Sequence, residues 1–213
     1  MIDIVICGAS GTALDVLDLI DATNEEGVKF RVVGFLDDAK ADTEFAGLPV
    51  IGRISDGARM RGVRLVDALG SPRSCNKRPG VIARTGVAAA DFQTLVHPSA
   101  VVSPRATLGP GCLLFAYTVV GAGASIGSHV TMLAHAVVHH ETVVEDWCIL
   151  CSHASVSGRC RIGRASYLGT GSLVIQDGLV GEGSVVGMGS VVIRPIPAQS
   201  VVVGNPARIL RSS

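Results

Sequence analysis

Residues 114–127 read Leu114-Phe115-Ala116-Tyr117-Thr118-Val119-Val120-Gly121-Ala122-Gly123-Ala124-Ser125-Ile126-Gly127. An aliphatic residue recurs every sixth position, at Leu114, Val120 and Ile126, and small residues fall four positions later, at Thr118 and Ala124. Followed outward, the period runs from Val96 to Val192, and all 17 positions at this spacing are Val, Ile, Leu or Met. A helix repeats every ~3.6 residues and a half-buried strand every ~2, so neither produces six. A triangular coil does. Three short flat strands per turn each place one aliphatic residue inside, and small residues fit the corners between them. Three sixes make an 18-residue coil, so the run spans nearly six coils with no insertion. Residues one coil apart then stack ~4.8 Å apart.

The small column runs from Ala100 and Ala106 through Cys112, Cys148 and Cys160 to Ser190. Gly follows the aliphatic residue at 109, 121, 127, 163, 169, 181 and 187, where it is expected to permit the turns.

The first 92 residues follow a different grammar. Ile2 to Cys7 reads as a strand ending in Gly8-Ala9-Ser10-Gly11. Thr12 to Ile20 has helical spacing, with Leu14, Leu17 and Ile20 or Val16, Leu19 and Ile20 as the apolar stripe. Phe30 to Leu36 is a second strand, ending in Asp37-Asp38, and Arg64 to Leu69 a third, ending in Gly70-Ser71. Strand, Gly-rich turn, helix and strand make a βαβ pattern. The expected organisation is a Rossmann-like α/β domain over residues 1–92 and a parallel β-helix over 93–213.

Composition narrows the function. The formal net charge is zero, so the basic excess of a nonspecific nucleic-acid binder is missing. No apolar run approaches the ~18 residues of a membrane span. Met1-Ile2-Asp3-Ile4 has no basic start before an apolar stretch, so no signal peptide is expected. A cytoplasmic chain with six reduced, scattered cysteines is expected.

Five features sharpen the reading: the Gly8-Ala9-Ser10-Gly11 turn, Phe35-Leu36-Asp37-Asp38, the coil entry Leu95-Val96-His97-Pro98-Ser99-Ala100, the His140-Glu141 pair and the closing Gly204-Asn205-Pro206-Ala207. Together with the sixes they resemble the hexapeptide-repeat sugar acetyltransferases of the bacillosamine and perosamine pathways. The resemblance covers nearly the whole chain. It implies a left-handed β-helix, against the usual crossover rule, and a homotrimer. It also implies acetyl-CoA as co-substrate and, as partner, a UDP- or GDP-linked 4-amino-4,6-dideoxy sugar that is N-acetylated. O-acetylation of a sialic acid or similar sugar is the alternative enzyme. A non-catalytic sugar-nucleotide-binding scaffold is the alternative outside catalysis.

Acetylating an amine requires the neutral amine, and His suits the removal of its proton. Five of the six histidines, His129, His135, His139, His140 and His153, lie close together in the chain, with His97 apart. The resemblance makes His140 the general base and Glu141 the group that orients it. By position alone both read better as solvated corner residues; it is the resemblance that favours the catalytic role. His139 follows the inward Val138 and should point outward. His135 and His153 are 18 apart and should stack with Tyr117 and Gly171, as a polar stripe or a subunit seam. The family's second histidine, nine residues after the base, is replaced here by Ile149; either a backbone N–H polarises the thioester carbonyl instead, or His153, four residues on, takes that place under a different subunit geometry.

The resemblance also places Ser10, Gly11, Thr12, Asp37, Asp38 and Gly70 on the nucleotide sugar, although the family often has His where Thr12 stands. Ile149, Thr170 and Met188 would touch acetyl-CoA. Arg73, Lys77 and Arg78 either reach a pyrophosphate or form helix surface. The glycine turn falls short of the full dinucleotide fingerprint. An acid after the second strand suits ribose hydroxyls, which makes an NAD domain the rival; hydride transfer has no use for the attached coil.

No metal is expected. Cys148-x-x-Cys151-x-His153 has zinc-like spacing, but Cys148 belongs to the inward column and Cys151 follows the inward Leu150. The γ-class carbonic anhydrases share the coil and hold zinc through three histidines. His135 and His140 suit that arrangement, but Ser99 stands at the third position. A prism is convex, so a groove, and the active site, are expected between neighbouring subunits.

Overall fold

The structure, a computed structural model, describes residues 1–27, 29–72 and 74–212. The N-terminal sheet contains β1 (Ile2–Cys7), β2 (Phe30–Leu36), β3 (Glu44–Phe45), β4 (Leu48–Gly52) and β5 (Val63–Asp67) in the order β3-β4-β2-β1-β5. β1 lies centrally, parallel to both β2 and β5, and Ile4 to Cys7 are wholly buried. Such a strand has apolar neighbours on both faces, which is why it reads as a continuous apolar run. Helix α1 (Gly11–Glu25) buries Val16, Leu19 and Ile20, the second of the two expected stripes, and leaves Leu14 exposed. A short helix, α2 (Arg78–Ala83), follows β5. Cys7 pairs with both Leu36 and Asp67, so the loops after β1, β2 and β5 gather at one end of the sheet. Ligands of parallel α/β sheets bind at that end.

The hairpin joining β3 and β4 was not read from the sequence. Its two turn residues, Ala46 and Gly47, have φ of 50° and 76°. That is a primed turn, usually signalled by Asn or Asp before Gly.

From β6 (Leu95–Val96) to β22 (Val191–Val192) the chain makes two-residue strands that wind around a triangular core. The first face stacks strands starting at Leu95, Leu113, Thr131, Ile149, Tyr167 and Val185. The second stacks those starting at Val101, Val119, Val137, Ser155, Leu173 and Val191. The third stacks those starting at Thr107, Ser125, Val143, Arg161 and Leu179. Every pairing is parallel and steps by 18 residues. The inward column is as expected: its members from Leu114 to Val192 are at most 2% exposed, and Val96, Val102 and Leu108 pack against them at the open end. β23 (Ser200–Val203) extends the first face, and antiparallel β24 (Arg208–Ser212) closes it.

The small column does more than save space. Thr142, Ser166, Cys112, Cys148 and Cys160 each donate to a carbonyl 15 residues on, satisfying the corner of the next coil. Burial pushes the Cys112 thiol up to about 11 and that of Cys148 up to about 12, so both stay protonated and able to donate.

The role of the glycines differs from the expectation. Those directly after the inward residue are not in the left-handed region; a Cβ on Gly109 or Gly121 would lie 2.7 or 2.8 Å from the backbone of the next coil. The left-handed residues come two positions later, every sixth residue from Gly111 to Gly189. Nine of these fourteen are not Gly, including Tyr117, His129, His135, Glu141, Trp147 and His153. A left-handed non-glycine residue costs roughly 1–2 kcal/mol. The ladder of stacked strands over-determines each corner and carries that cost.

The two parts pack through the first face. Leu95, Leu113 and Phe115 join one apolar cluster with Ile4, Ile6, Val16 and Leu19. No helix among the described residues is long and apolar enough to cross a membrane.

Candidate active site

The glycine turn after β1 is held from below. Gly8 has φ of 101°, and a Cβ there would meet Leu69 Cδ2 at 2.8 Å. Asp37 accepts the Ala9 N–H through Oδ2 and the Ala39 N–H through Oδ1, both at 2.9 Å. Asp38 accepts the Ile54 N–H at 3.1 Å and pairs with Arg84. Partial burial opposes its charge, yet Arg84 and the Ile54 N–H outweigh it and hold the carboxyl below the ordinary value. Both acids are thus engaged within the chain. Ser10 caps α1 in an extended conformation and its side chain makes no capping bond, leaving it exposed beside Gly11, with Thr12 half-buried.

Thr12 and Gly70 meet Ile149 in one cavity of about 180 Å³ between the sheet's loops and the first face. Ser71, Thr131 and Tyr167 bring hydroxyls to it, and no charged side chain lines it. Gly70 has φ of 139°, and a Cβ there would sit 2.5 Å from Ile149 Cδ1. A second hollow of about 280 Å³ shares Leu133 with the first and reaches Ala116, Ala134 and Ser152 at the first corner, between the first and second faces. Asp15 and Asp18 of α1 border this hollow; burial and the neighbouring Asp18 raise the Asp15 carboxyl. Thr170 and Met188 continue the column Ala116–Ala134–Ser152 upward and are exposed.

His140 and Glu141 occupy the second corner, between the second and third faces. His140 Nδ1 lies 3.2 Å from Glu141 Oε2, and both side chains are about half exposed or more, at 49% and 64%. With Nδ1 directed to the carboxylate, Nε2 is the nitrogen left for chemistry. Glu141 is left-handed, with φ of 57°. The imidazole rests on Gly158 one coil above: a Cβ there would lie 2.5 Å from His140 Nε2 and Cε1. Gly158 itself is outside the left-handed region, so Ala suits its backbone. Gly158→Ala is expected to lower kcat about 10- to 100-fold by displacing the imidazole, while leaving Tm within about 2 °C. An unchanged kcat in steady-state assays would contradict the placement.

In a triangular prism the second corner lies opposite the first face. One chain therefore does not bring His140 to Thr12, Gly70 and Ile149.

The model of the PglD N-terminal domain family matches residues 3–76. No curated protein matches the chain by sequence. Among solved structures, the acetyltransferase domain of PglB from Neisseria gonorrhoeae FA1090, in complex with acetyl coenzyme A, is 31% identical, with 98% of each chain covered and a TM-score of 0.83. PerB from Caulobacter crescentus, in complex with CoA and GDP-perosamine, is 30% identical over 98% of this chain and 97% of that one, with a TM-score of 0.84. WeeI from Acinetobacter baumannii AYE is 25% identical over 99% and 100%, with a TM-score of 0.83.

The chain belongs to the hexapeptide-repeat sugar acetyltransferase family.

As a member of this family it is an acyltransferase that uses acetyl-CoA, and its coils form a left-handed β-helix. Tyr117, His135 and His153 stack along the first corner, with ring centroids 5.0 and 4.8 Å apart, and all three are exposed. His139 points outward. Cys148 faces the coil interior, while Cys151 packs outside it with Cys75 and Ile149.

Arg78 corrects a sequence expectation. It is 1% exposed, so it neither meets a pyrophosphate nor forms helix surface; its Nε donates to Asp67 Oδ2 at 2.8 Å. Lys77 is exposed, and Arg73 lies outside the described residues. Reading the sequence also missed Asp67 and Trp147. Beside the buried Asp67–Arg78 pair, at the third corner, His129 stacks on Trp147 at 3.9 Å. The available signal was an acid closing a buried strand, Leu65-Val66-Asp67, which demands a partner.

Proposed function

We propose that the acetyltransferase moves the acetyl group of acetyl-CoA to the amine of a UDP- or GDP-linked 4-amino-4,6-dideoxy sugar, with His140 as general base. The observation that carries this is the exposed His140–Glu141 pair with Nε2 left for chemistry, in a chain 30% identical to a protein solved with CoA and GDP-perosamine.

Residues 1–92 hold the nucleotide sugar and residues 93–213 hold acetyl-CoA. The N–H groups at the start of α1 suit phosphate oxygens, and Ser10, Gly11 and Thr12 present them. Asp37 and Asp38 act by fixing the loops they bond. The charge-free cavity at Thr12, Gly70 and Ile149 suits a deoxy sugar ring, with hydroxyls for its polar edge and Leu133 and Ile149 for its methyl group. The uncharged column ending in Thr170 and Met188 suits an extended thioester carrier. The amine nitrogen attacks the thioester carbonyl as His140 Nε2 takes its proton, and Glu141 stabilises the imidazolium. The C–N bond forms, the C–S bond breaks, and the proton passes from His140 to the departing sulfur.

The site is completed by a second subunit. The outward residues of the second face, Val101, Val119, Val137, Ser155, Leu173 and Val191, carry no charge, and Val101 and Leu173 are 62% and 45% exposed. A trimer that sets this face against a neighbour's N-terminal domain, which covers that neighbour's own first face, points the first corner at the threefold axis. His140, at the far edge of the second face, then reaches the neighbour's cavity. Tyr117, His135 and His153 run along the axis. Leu173→Asp is expected to yield folded, inactive monomers by light scattering and activity assay; an active trimer would contradict this packing.

The test of the reaction is a panel of UDP- and GDP-linked 4-amino sugars with their 4-hydroxyl counterparts. CoA release and a base-stable amide are expected with the amines alone. A base-labile ester from the hydroxyl sugars, or no release from any, would overturn the reading.

A further inference from the structure

Three side chains that the proposed chemistry does not use are buried together where the sheet meets the coil. Asp67, at the end of β5, is fully buried, and Arg78 and His129 are each 1% exposed. Asp67 Oδ1 accepts the Leu69 N–H at 3.0 Å and Oδ2 accepts Arg78 Nε at 2.8 Å, with His129 Nδ1 at 3.4 Å. Arg78 Nη2 donates to Thr131 Oγ1 at 3.3 Å, on the first face, and its guanidinium lies 5.8 Å from the Trp147 ring centre. Burial works against the Asp67 charge, but Arg78, His129 and the Leu69 N–H outweigh it and keep the carboxyl below the ordinary value.

A buried ion pair is weak evidence of stability, because desolvating both charges offsets their attraction. Its geometry here suits another purpose. The Leu69 N–H that Asp67 accepts sits one residue before Gly70, and Arg78 Cδ is 3.8 Å from a Cβ built on Gly70. Gly70 in turn abuts Ile149, and Thr131, the other end of the Arg78 bridge, lines the same cavity.

We propose that Asp67, Arg78 and His129 form a brace across the domain seam that fixes the Gly70 turn against Ile149 and so sets the width of the sugar cavity. They are positioning residues and touch no substrate. The inference rests on the placement of the nucleotide sugar given above.

Asp67→Asn leaves the Arg78 charge buried without its counterion and is expected to cost so much stability that its kinetics say little. The informative variant is the apolar pair Asp67→Leu with Arg78→Met, which fills similar volume without charge. Its Tm is expected to match wild type. Amide hydrogen exchange over residues 68–72 should nevertheless quicken about tenfold or more, because the Leu69 N–H has lost its acceptor. KM for the nucleotide amino sugar should rise about tenfold, with the pH profile of kcat unchanged because none of the three brace residues contacts His140 or Glu141. If exchange over the turn and KM both stay at wild-type values, the cluster is structural only and the proposal is overturned. If exchange quickens and KM does not move, the brace does not set the cavity, and the sugar lies elsewhere. The wild-type panel assay reports separately on the reaction.

Discussion

His140→Ala is expected to lower the acetylation rate by about 10²–10⁴-fold, the usual scale for a positioned general base. The imidazole sits at an exposed corner, its Nδ1 3.2 Å from Glu141 and its Nε2 against Gly158 of the next coil. Truncation removes no core contact, so Tm should stay within about 2 °C. Acetyl-CoA binding should change much less than kcat. The residual rate should rise with pH, since more of the sugar amine is then neutral unaided. Glu141→Gln should be milder, because the carboxylate only orients and polarises the ring. His153→Ala is the control. It belongs to the first-corner stack with Tyr117 and His135. If it abolished turnover while His140→Ala remained active, the base would lie in that stack.

Val156→Asp should be the most destabilising change in the coil. Val156 is 0% exposed and stacks between Val138 and Val174. A carboxylate there has no partner and no water, which costs several kcal/mol. Each coil contacts only its neighbours, so a break in one removes support from both sides. Thermal melts should show either a loss of many degrees or no folded protein. A variant melting like wild type would mean that the inward register is wrong.

The β-helix was legible because its period is imposed by the fold itself. Every sixth residue must be aliphatic, and no local element imitates six. The same regularity hid the corners. The left-handed column is occupied by Tyr117, Glu141 and Trp147 as readily as by Gly, so composition gives no signal for it. The glycines that stood out serve close approach between coils. The candidate base was found through its motif, whereas its resting surface, Gly158, emerged only when residues one coil apart were placed together. The Asp67–Arg78–His129 cluster joins a strand end, a short helix and a coil corner. Nothing in the sequence links these three, and a buried arginine looks the same as a surface one until the fold is known.

The central claim is that His140 of one subunit acts on a sugar held by the next. Co-expressing two inactive variants tests it most directly: His140→Ala, and Thr12→Trp, which fills the mouth of the cavity. In a mixed trimer some interfaces carry an intact His140 from one chain and an intact cavity from the other. An equal mixture should restore about a quarter of the wild-type sites over all trimers, and purified mixed trimers, each with one intact interface of three, should show about a third of wild-type turnover. Mixed trimers no more active than either parent would contradict the shared site.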